Sequence, residues 1–437
     1  MDERAVVTCF LRNRGDVLLL RRSDAVGSYA GLWGGVAGHV ATDAGEERTP
    51  EAAARAEIRE ETGIDDAAVT LAEDGEPFTL ADDELGIRWQ IHPFCFDCVT
   101  RTVETDWETD EWAWVAPTEI LRRETVPALW TSYDRVRPRV TTVRDDREHG
   151  SAWLSVRALE VLRDEAALAV AGRRETDESR EADGDDWPAL TALAERLLAA
   201  RPSMAVVANR VNRAVSAASE EATPAAIERA AVEGIERAGT ADADAAATAA
   251  EALPERVATL SRSGTVRDAL EARGPGTILV AESRPGREGV GVAETLSESL
   301  SETAVTVTTD AAFPAEVAAG EVDALVVGAD RILPDGRVVN KVGTHGAAVA
   351  AVAADVPVLV VAATDKVATD DAVDREERDP AAVYDGDAHV SVANPTFDVT
   401  PANAVTAVCT ERGVLRGEGI ESVVDEHRRL AAWRTDE

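Results

Sequence analysis

A-L-V-V-G-A-D-R-I-L-P-D-G-R-V-V-N-K-V-G-T-H-G (residues 324–346) decides how the second half of this chain folds. Four apolar residues lead into G-A-D, then a Pro-Asp-Gly turn and a second short apolar stretch. The opening run is continuous rather than alternating, which suits a parallel strand buried on both faces. Three other runs share its character: T-I-L-V-A (277–281), A-V-T-V-T (304–308) and V-L-V-V-A-A (358–363), with helical segments between them. Strands alternating with helices predict a doubly wound α/β domain, whose ligands gather beyond the carboxyl ends of the strands. Asp330 stands at such an end and is expected to act as general acid or base. Asn340 and Lys341 offer an amide and a point charge to sugar hydroxyls and phosphate, with turn glycines and Thr344 adding donors.

Lysine usage points to the same place. Of the 45 basic residues, 43 are arginine, and only Lys341 and Lys366 are lysine. Where arginine fills nearly every surface role, a retained lysine marks a site that wants a compact ammonium. Both lysines follow predicted strands, so the sequence predicts a phosphate pocket there.

Composition narrows the rest. A chain of 437 residues forms two or three domains with real cores. Its net charge of −37, from 82 acidic residues spread along the length, excludes a broad basic face for nucleic acid. Scarce lysine, abundant Asp and Glu, and many Ala and Val match a protein of a salt-loving microbe. No apolar run reaches the length of a membrane span and no signal peptide opens the chain, so a soluble, cytoplasmic protein is expected. Cys95 and Cys98, in I-H-P-F-C-F-D-C-V (91–99), read as free thiols on one strand and not as half of a zinc site.

Three regions follow from patterning. Residues 1–145 alternate short strands and turns around one helix, from about Pro50 to Thr62, that Gly63 stops; this is an α+β domain. Residues 147–256 carry helical spacing, with an exposed charged loop at 173–186 and one or two helices at 218–252. Residues 257–437 form the parallel-sheet, Rossmann-like domain.

The segment E-I-R-E-E-T-G-I (57–64) places Glu57, Glu60 and Glu61 at i, i+3 and i+4, so their like charges crowd one helix face. A hard cation such as Mg²⁺ would turn that repulsion into coordination, bridge a diphosphate and activate water. With G-L-W-G-G-V-A-G-H-V (31–40) and E-T-D-E-W-A-W-V-A-P-T-E-I (108–120), the segment resembles the Nudix box. The resemblance implies that Glu57, Glu60 and Glu61 are metal ligands, with Glu57 and Glu61 catalytic and Glu108 or Glu111 adding a carboxylate. Two departures stand out: Ala56 replaces the arginine expected before Glu57, with Arg55 one place early. The loop after Gly38 is also long, so Glu46 and Glu47 compete for the early glutamate.

From about 147 to 416 the chain resembles the family of initiation factor 2B regulatory subunits, methylthioribose-1-phosphate isomerase and ribose-1,5-bisphosphate isomerase. The motifs are R-P-S-M-A-V-V-A-N-R (201–210), S-R-S-G-T-V (261–266), A-E-S-R-P-G (281–286), N-P-T-F-D-V-T-P (394–401) and T-E-R-G-V (410–414). The resemblance implies an aldose-to-ketose isomerase for a ribose 1-phosphate compound of the ribose 1,5-bisphosphate type, needing no cofactor, and a homo-oligomer joined through this domain. It makes Asp330 and Ser261 catalytic, and Arg201, Asn340, Lys341, Lys366 and Gly150 substrate-binding. Ser261 takes the place of the family's cysteine, and a hydroxyl is a far weaker acid than a thiol. His149 of H-G-S (149–151) takes the place of an arginine. An isomerase, a non-catalytic sensor of nucleotide or sugar phosphate, and a protein in which only the Nudix part is active all stay open at this point.

At 1 M salt the Debye length falls to roughly 3 Å, which screens much of the self-repulsion of so acidic a chain. The melting temperature should therefore rise steeply with salt; scanning calorimetry from low to molar KCl that returned a flat line would refute this.

Overall fold

The computed structural model describes residues 2–41, 48–172 and 186–434. Their contacts divide the chain into two units, Met1–Arg139 with Glu160–Asp186 and Val140–Leu159 with Trp187–Glu437.

The first unit is built on a mixed eight-stranded sheet. Its spine is two strands, Asp2–Asn13 and Ile87–Cys98, paired in parallel over most of their length. Val7, Cys9, Leu11, Phe94 and Phe96 turn one face of that spine onto Ala53, Ala54 and Ile58 of the helix Pro50–Thr62. This helix has the bounds its sequence predicts, for local reasons. The Thr49 hydroxyl accepts the Ala52 N–H, Pro50 starts the first turn, and Gly63 closes the last at φ 68°, giving its N–H to the Arg59 carbonyl. Cys95 and Cys98 lie on one strand as expected, and all four cysteines are free and buried.

The helical region consists of Ser151–Val170, Asp186–Ala200, Ala205–Ala218 and Pro224–Ala252. The Ala/Glu tract forms one 29-residue helix, opened by Thr223 accepting the Ala226 N–H. Of the expected loop at 173–186, residues 173–185 lie outside the described ones, and Asp186 already begins a helix.

The second unit's seven-stranded sheet fixes where chemistry can occur. Its order is Ala304–Thr308, Thr277–Ala281, Arg256–Leu260, Ala324–Val327, Val358–Val361, Ala407–Thr410, Gly413–Leu415. The first six strands are parallel and the last is antiparallel. Numbered by chain position, the six run 3-2-1-4-5-6, the doubly wound order. Val257, Leu325, Val326, Val358, Val360 and Val361 are buried, as continuous apolar runs require. The order reverses between Arg256–Leu260 and Ala324–Val327, where successive crossovers leave for opposite faces and a crevice opens. Beside it, the hairpin Arg331–Ile332 and Val338–Lys341 pairs with Phe397–Thr400 in a small antiparallel sheet. Among the described residues no helix is long and apolar enough to cross a membrane.

Candidate functional site

Four strand ends deliver side chains to one cleft of about 980 Å³ in the second unit. Ser261 follows Arg256–Leu260, Glu288 comes seven residues after Ala281, Asp330 follows Ala324–Val327, and Lys366 closes the turn Thr364–Lys366 after Val358–Val361. Asn340 and Lys341 enter from the hairpin, and Arg201 and Gly150 from the helical part. Every residue the sequence assigned to the sugar-phosphate site thus lines this one cavity.

The contacts give each a different character. Ser261 is held at φ 63°, a conformation costly for a side-chain-bearing residue, and its N–H donates to the Ser283 hydroxyl at 2.8 Å. The Ser151 hydroxyl donates to Asp330 Oδ1 at 2.9 Å. Asn340 Nδ2 donates to the Thr344 hydroxyl at 3.0 Å, which donates in turn to the Lys341 carbonyl. Arg201 is spoken for: it donates to the Asp146 carbonyl at 2.6 Å and pairs with Glu376 at 3.1 Å. Lys341 Nζ meets Glu288 Oε1 at 3.1 Å, and burial pulls its ammonium below the usual range despite that partner.

Lys366 differs from all of these. It is 6% exposed, lines the cleft, and its ammonium makes no hydrogen bond or ion pair with any described residue. Its ammonium opens onto the cleft, where an incoming anion would find a cation with no internal partner. Its neighbour Asp365 explains how it is held. Asp365 accepts from Arg210 Nε at 3.2 Å and Arg213 Nη2 at 3.0 Å, while Asn209 donates to the Asp365 and Val367 carbonyls. Burial alone would raise the Asp365 carboxyl, but the two guanidiniums outweigh it and hold the group below its usual range.

Sequence reasoning missed Glu288 and Arg378. Arg378 Nη2 donates to the same Glu288 Oε1 at 3.0 Å. Glu288 had a legible signal, since R-P-G-R-E-G (284–289) follows a strand's carboxyl end just as Asp330 does. Arg378 had none, because it lies in an irregular stretch with no periodicity.

In the first unit, the helix Pro50–Thr62 brings Glu57 and Glu61 together. Glu61 is 7% exposed, and its carboxyl is pushed well up by burial, then by Glu57 and Glu108. Burial and Glu60 also raise Glu57, against Arg48. Gly38 is required beside them, because a Cβ there would stand 2.0 Å from the Glu57 carboxyl carbon. Glu60 is exposed, yet its charge still raises the Glu57 carboxyl, so it stays within electrostatic reach of that side chain. On a helix of 3.6 residues per turn, i+3 and i+4 fall on opposite sides of i, and only the i+4 side turns inward here. Glu108 is electrostatically coupled to both inner carboxylates, whereas Glu111 is exposed and paired with Arg21 at 3.7 Å. Arg55 pairs with Glu51 instead of reaching Glu57; Arg48 does so from before the helix, at 3.4 Å. Among the described residues no three His, Cys, Asp or Glu side chains are gathered at metal-ligand spacing. Glu46 and Glu47 lie outside the described residues.

A family model described as the initiation factor 2 subunit family matches residues 147–417, and one for the NUDIX domain matches residues 1–140. The methylthioribose-1-phosphate isomerase of Syntrophotalea carbinolica is 35% identical over 174 residues, 37% of this chain and 50% of that protein. The ribose 1,5-bisphosphate isomerase of Haloferax volcanii is 38% identical over 157 residues, 34% of this chain and 47% of that protein. The chain thus spans about half the length of the curated relatives it matches. Among solved structures, translation initiation factor eIF-2B of Pyrococcus horikoshii OT3 aligns at TM-score 0.53 and 27% identity, over 63% of this chain and 94% of that one. The 5-methylthioribose 1-phosphate isomerase of the same organism aligns at TM-score 0.51 and 22% identity, over 73% and 90%, a likeness of fold alone.

Asp365→Asn should destabilise the second unit by about 3 kcal/mol, because Arg210 and Arg213 lose their shared buried anion. A carboxyl held low contributes stability that is complete above its unfolded pKa of about 3.9 and is lost as pH falls through its lower folded value. Acid titration of the melting temperature should therefore be shallower in the variant below pH ~4; identical curves would remove Asp365 from this role.

Proposed function

The chain belongs to the initiation factor 2 subunit family, with a NUDIX domain ahead of that region, and from this membership we propose a two-part enzyme. The second unit isomerises an aldose 1-phosphate to the ketose 1-phosphate, with a ribose 1,5-bisphosphate type compound as substrate. The first unit cleaves a nucleoside diphosphate linked to another group. The observation that carries the isomerase reading is the convergence of Asp330, Lys341 and the unpartnered Lys366 on one cleft at the sheet's switch point. Names borne by relatives offer two substrates, ribose 1,5-bisphosphate and methylthioribose 1-phosphate.

The chemistry asks for little more than this cleft holds. Moving hydrogen from C2 to C1 of a sugar needs a fixed phosphate and an acid–base group beside those carbons. Lys366 supplies the unmatched ammonium for phosphate, and Arg201 joins it if phosphate replaces Glu376. Asp330, with one oxygen taken by Ser151, has the other free for proton transfer. Asn340 and Gly150 complete the polar wall. Ser261, where the family's cysteine is expected, favours a second reading, a regulatory protein that binds a sugar phosphate or nucleotide without turning it over. Self-association through the second unit belongs to the proposal, and the exposed Val349 and Val352 on the helix Thr344–Ala353 are compatible with it. So does a cytoplasmic setting.

In the first unit, Glu57 and Glu61, with Glu108 near them, suit Mg²⁺, since Arg48 beside Glu57 and Arg22 acting on Glu61 leave both carboxyls raised. A bound Mg²⁺ would polarise the diphosphate and lower the pKa of an attacking water. The chain's own part is to hold these carboxylates close in a partly dry setting. Glu60, being exposed, is proposed as an outer ligand only.

Incubating the full chain with each pentose phosphate in molar KCl should yield a ketose. Asp330→Asn should cut kcat by roughly a hundredfold or more while leaving calorimetric affinity within a few fold. Ligand binding without turnover would transfer support to the regulatory reading, and no binding would end both. For the first unit, Mg²⁺ should raise the melting temperature. Glu61→Gln, which removes a carboxyl that burial, Glu57 and Glu108 all disfavour in its ionised form, should raise the metal-free melting temperature and abolish the Mg²⁺ response. A variant still stabilised by Mg²⁺ would exclude Glu61 as a ligand.

A further inference from the structure

We propose that Glu288 is the catalytic base that serves where the family's thiol is missing, working opposite Asp330 in the same cleft. The inference rests on the isomerase reading and deepens it. A sugar isomerase needs two proton-handling groups, and a serine hydroxyl at position 261 is too weak an acid and base for either task. Glu288 is the carboxylate whose setting fits.

Three observations place it. The helix Glu288–Ser299 begins hard against the end of the strand Thr277–Ala281: a Cβ on Gly289 would lie 1.9 Å from the Ala281 carbonyl oxygen. Ser283, in the same connection, takes the Ser261 N–H at 2.8 Å, so the start of this helix is tied to the position where the thiol is expected. Second, both Lys341 Nζ (3.1 Å) and Arg378 Nη2 (3.0 Å) donate to Oε1, which orients the group and leaves Oε2 buried without any hydrogen-bond partner. A carboxylate oxygen left in that state costs on the order of 1–3 kcal/mol, which a ligand's donor or transferable proton would recover. Third, Lys341 Nζ lies 3.1 Å from Glu288 and also feels the charge of Asp330, and all three side chains line the same cleft. Burial would raise the Glu288 carboxyl, but Lys341 and Arg378 outweigh it and keep the group low, hence ionised and able to accept a proton.

The steps balance. The C1–O4 bond of the furanose breaks with its electron pair going to O4, which takes a proton from Asp330. Glu288 Oε2 removes the C2 hydrogen as a proton, and the C–H pair becomes the C1=C2 bond of an enol. The enol hydroxyl then returns its proton to Asp330 as C2=O forms, and the C1=C2 pair takes the proton from Glu288 at C1. Phosphate stays on C1 throughout, both carboxyls end as they began, and no oxidant or reductant enters. Lys341 steadies the negative charge that passes between them.

The test measures ketose formation and calorimetric binding of ribose 1,5-bisphosphate and methylthioribose 1-phosphate by the full chain in molar KCl. Glu288→Gln keeps the shape and the acceptor oxygen but cannot take a proton. It should lower kcat roughly a hundredfold or more, with KM and Kd within about threefold. Glu288→Asp, which keeps the carboxylate one methylene further back, should recover part of the loss. A Gln variant within about threefold of wild-type kcat overturns the proposal while leaving the isomerase reading intact. Equal losses of affinity and turnover also overturn it, since they make Glu288 a binding group. A wild-type protein that binds either sugar without converting it overturns both this proposal and the isomerase reading.

Discussion

The second unit depends on one topological constraint, the reversal of strand order between Arg256–Leu260 and Ala324–Val327. Right-handed crossovers on a parallel sheet must change faces where the order reverses, and the segments leaving neighbouring strands then diverge. A gap opens between them, so polar groups at those strand ends face a common space. Ser261 and Asp330 leave the two central strands, and Glu288 and Lys366 leave the next strand on either side. The cleft is thus a consequence of backbone topology before any side chain is chosen. Close packing keeps it so: a Cβ on Gly328 would meet the Ser263 hydroxyl at 2.8 Å, so the two central connections touch at their bases.

Rigidity comes from charge pairs behind the cleft as well as from those in it. Asp365 is clamped by Arg210 and Arg213, and Arg213 continues to Glu426, which Arg412 also holds at 2.6 Å. His427 Nδ1 donates to the Val367 carbonyl, and burial keeps its imidazole below the usual range. A network of this kind gives modest net stability, because desolvation offsets much of the attraction. Its value is positional: the turn that carries Lys366 cannot shift without breaking several charge-assisted bonds at once.

Much of this was written in the sequence, and the reasons are local. Continuous β-branched runs announced the buried parallel strands, and Thr49, Pro50 and Gly63 announced both ends of the carboxylate helix. Asp330, Asn340, Lys341 and Lys366 were legible because strand ends and rare lysines can be counted without coordinates. What could not be read depends on distances across the chain. Glu288 meets Arg378 across a sequence separation of 90, and Arg48 takes up Glu57 where a helix-borne arginine was expected. Helical spacing also put Glu60 on the same face as Glu57 and Glu61; only the packing against the sheet decides which flank of that face is buried.

The contrast between the two lysines and the arginines around them carries a last consequence. In a chain of net charge −37, carboxylates compete for every cation, and the fork of an arginine is the easiest to satisfy twice. Arg201, Arg210 and Arg213 are accordingly engaged by Glu376, Asp365 and Glu426. Lys341 is shared with Glu288, and only Lys366 among these is left to an incoming anion. A compact ammonium on a residue only 6% exposed, in a stretch where Thr364, Val367 and Ala368 are also nearly inaccessible, can stay clear of acids that a guanidinium's wider fork would reach. An acidic protein can therefore keep a phosphate site open only by withholding one cation from its own carboxylates. Burial does the withholding: molar salt screens an exposed ammonium within a few ångströms but acts far less on one enclosed by protein.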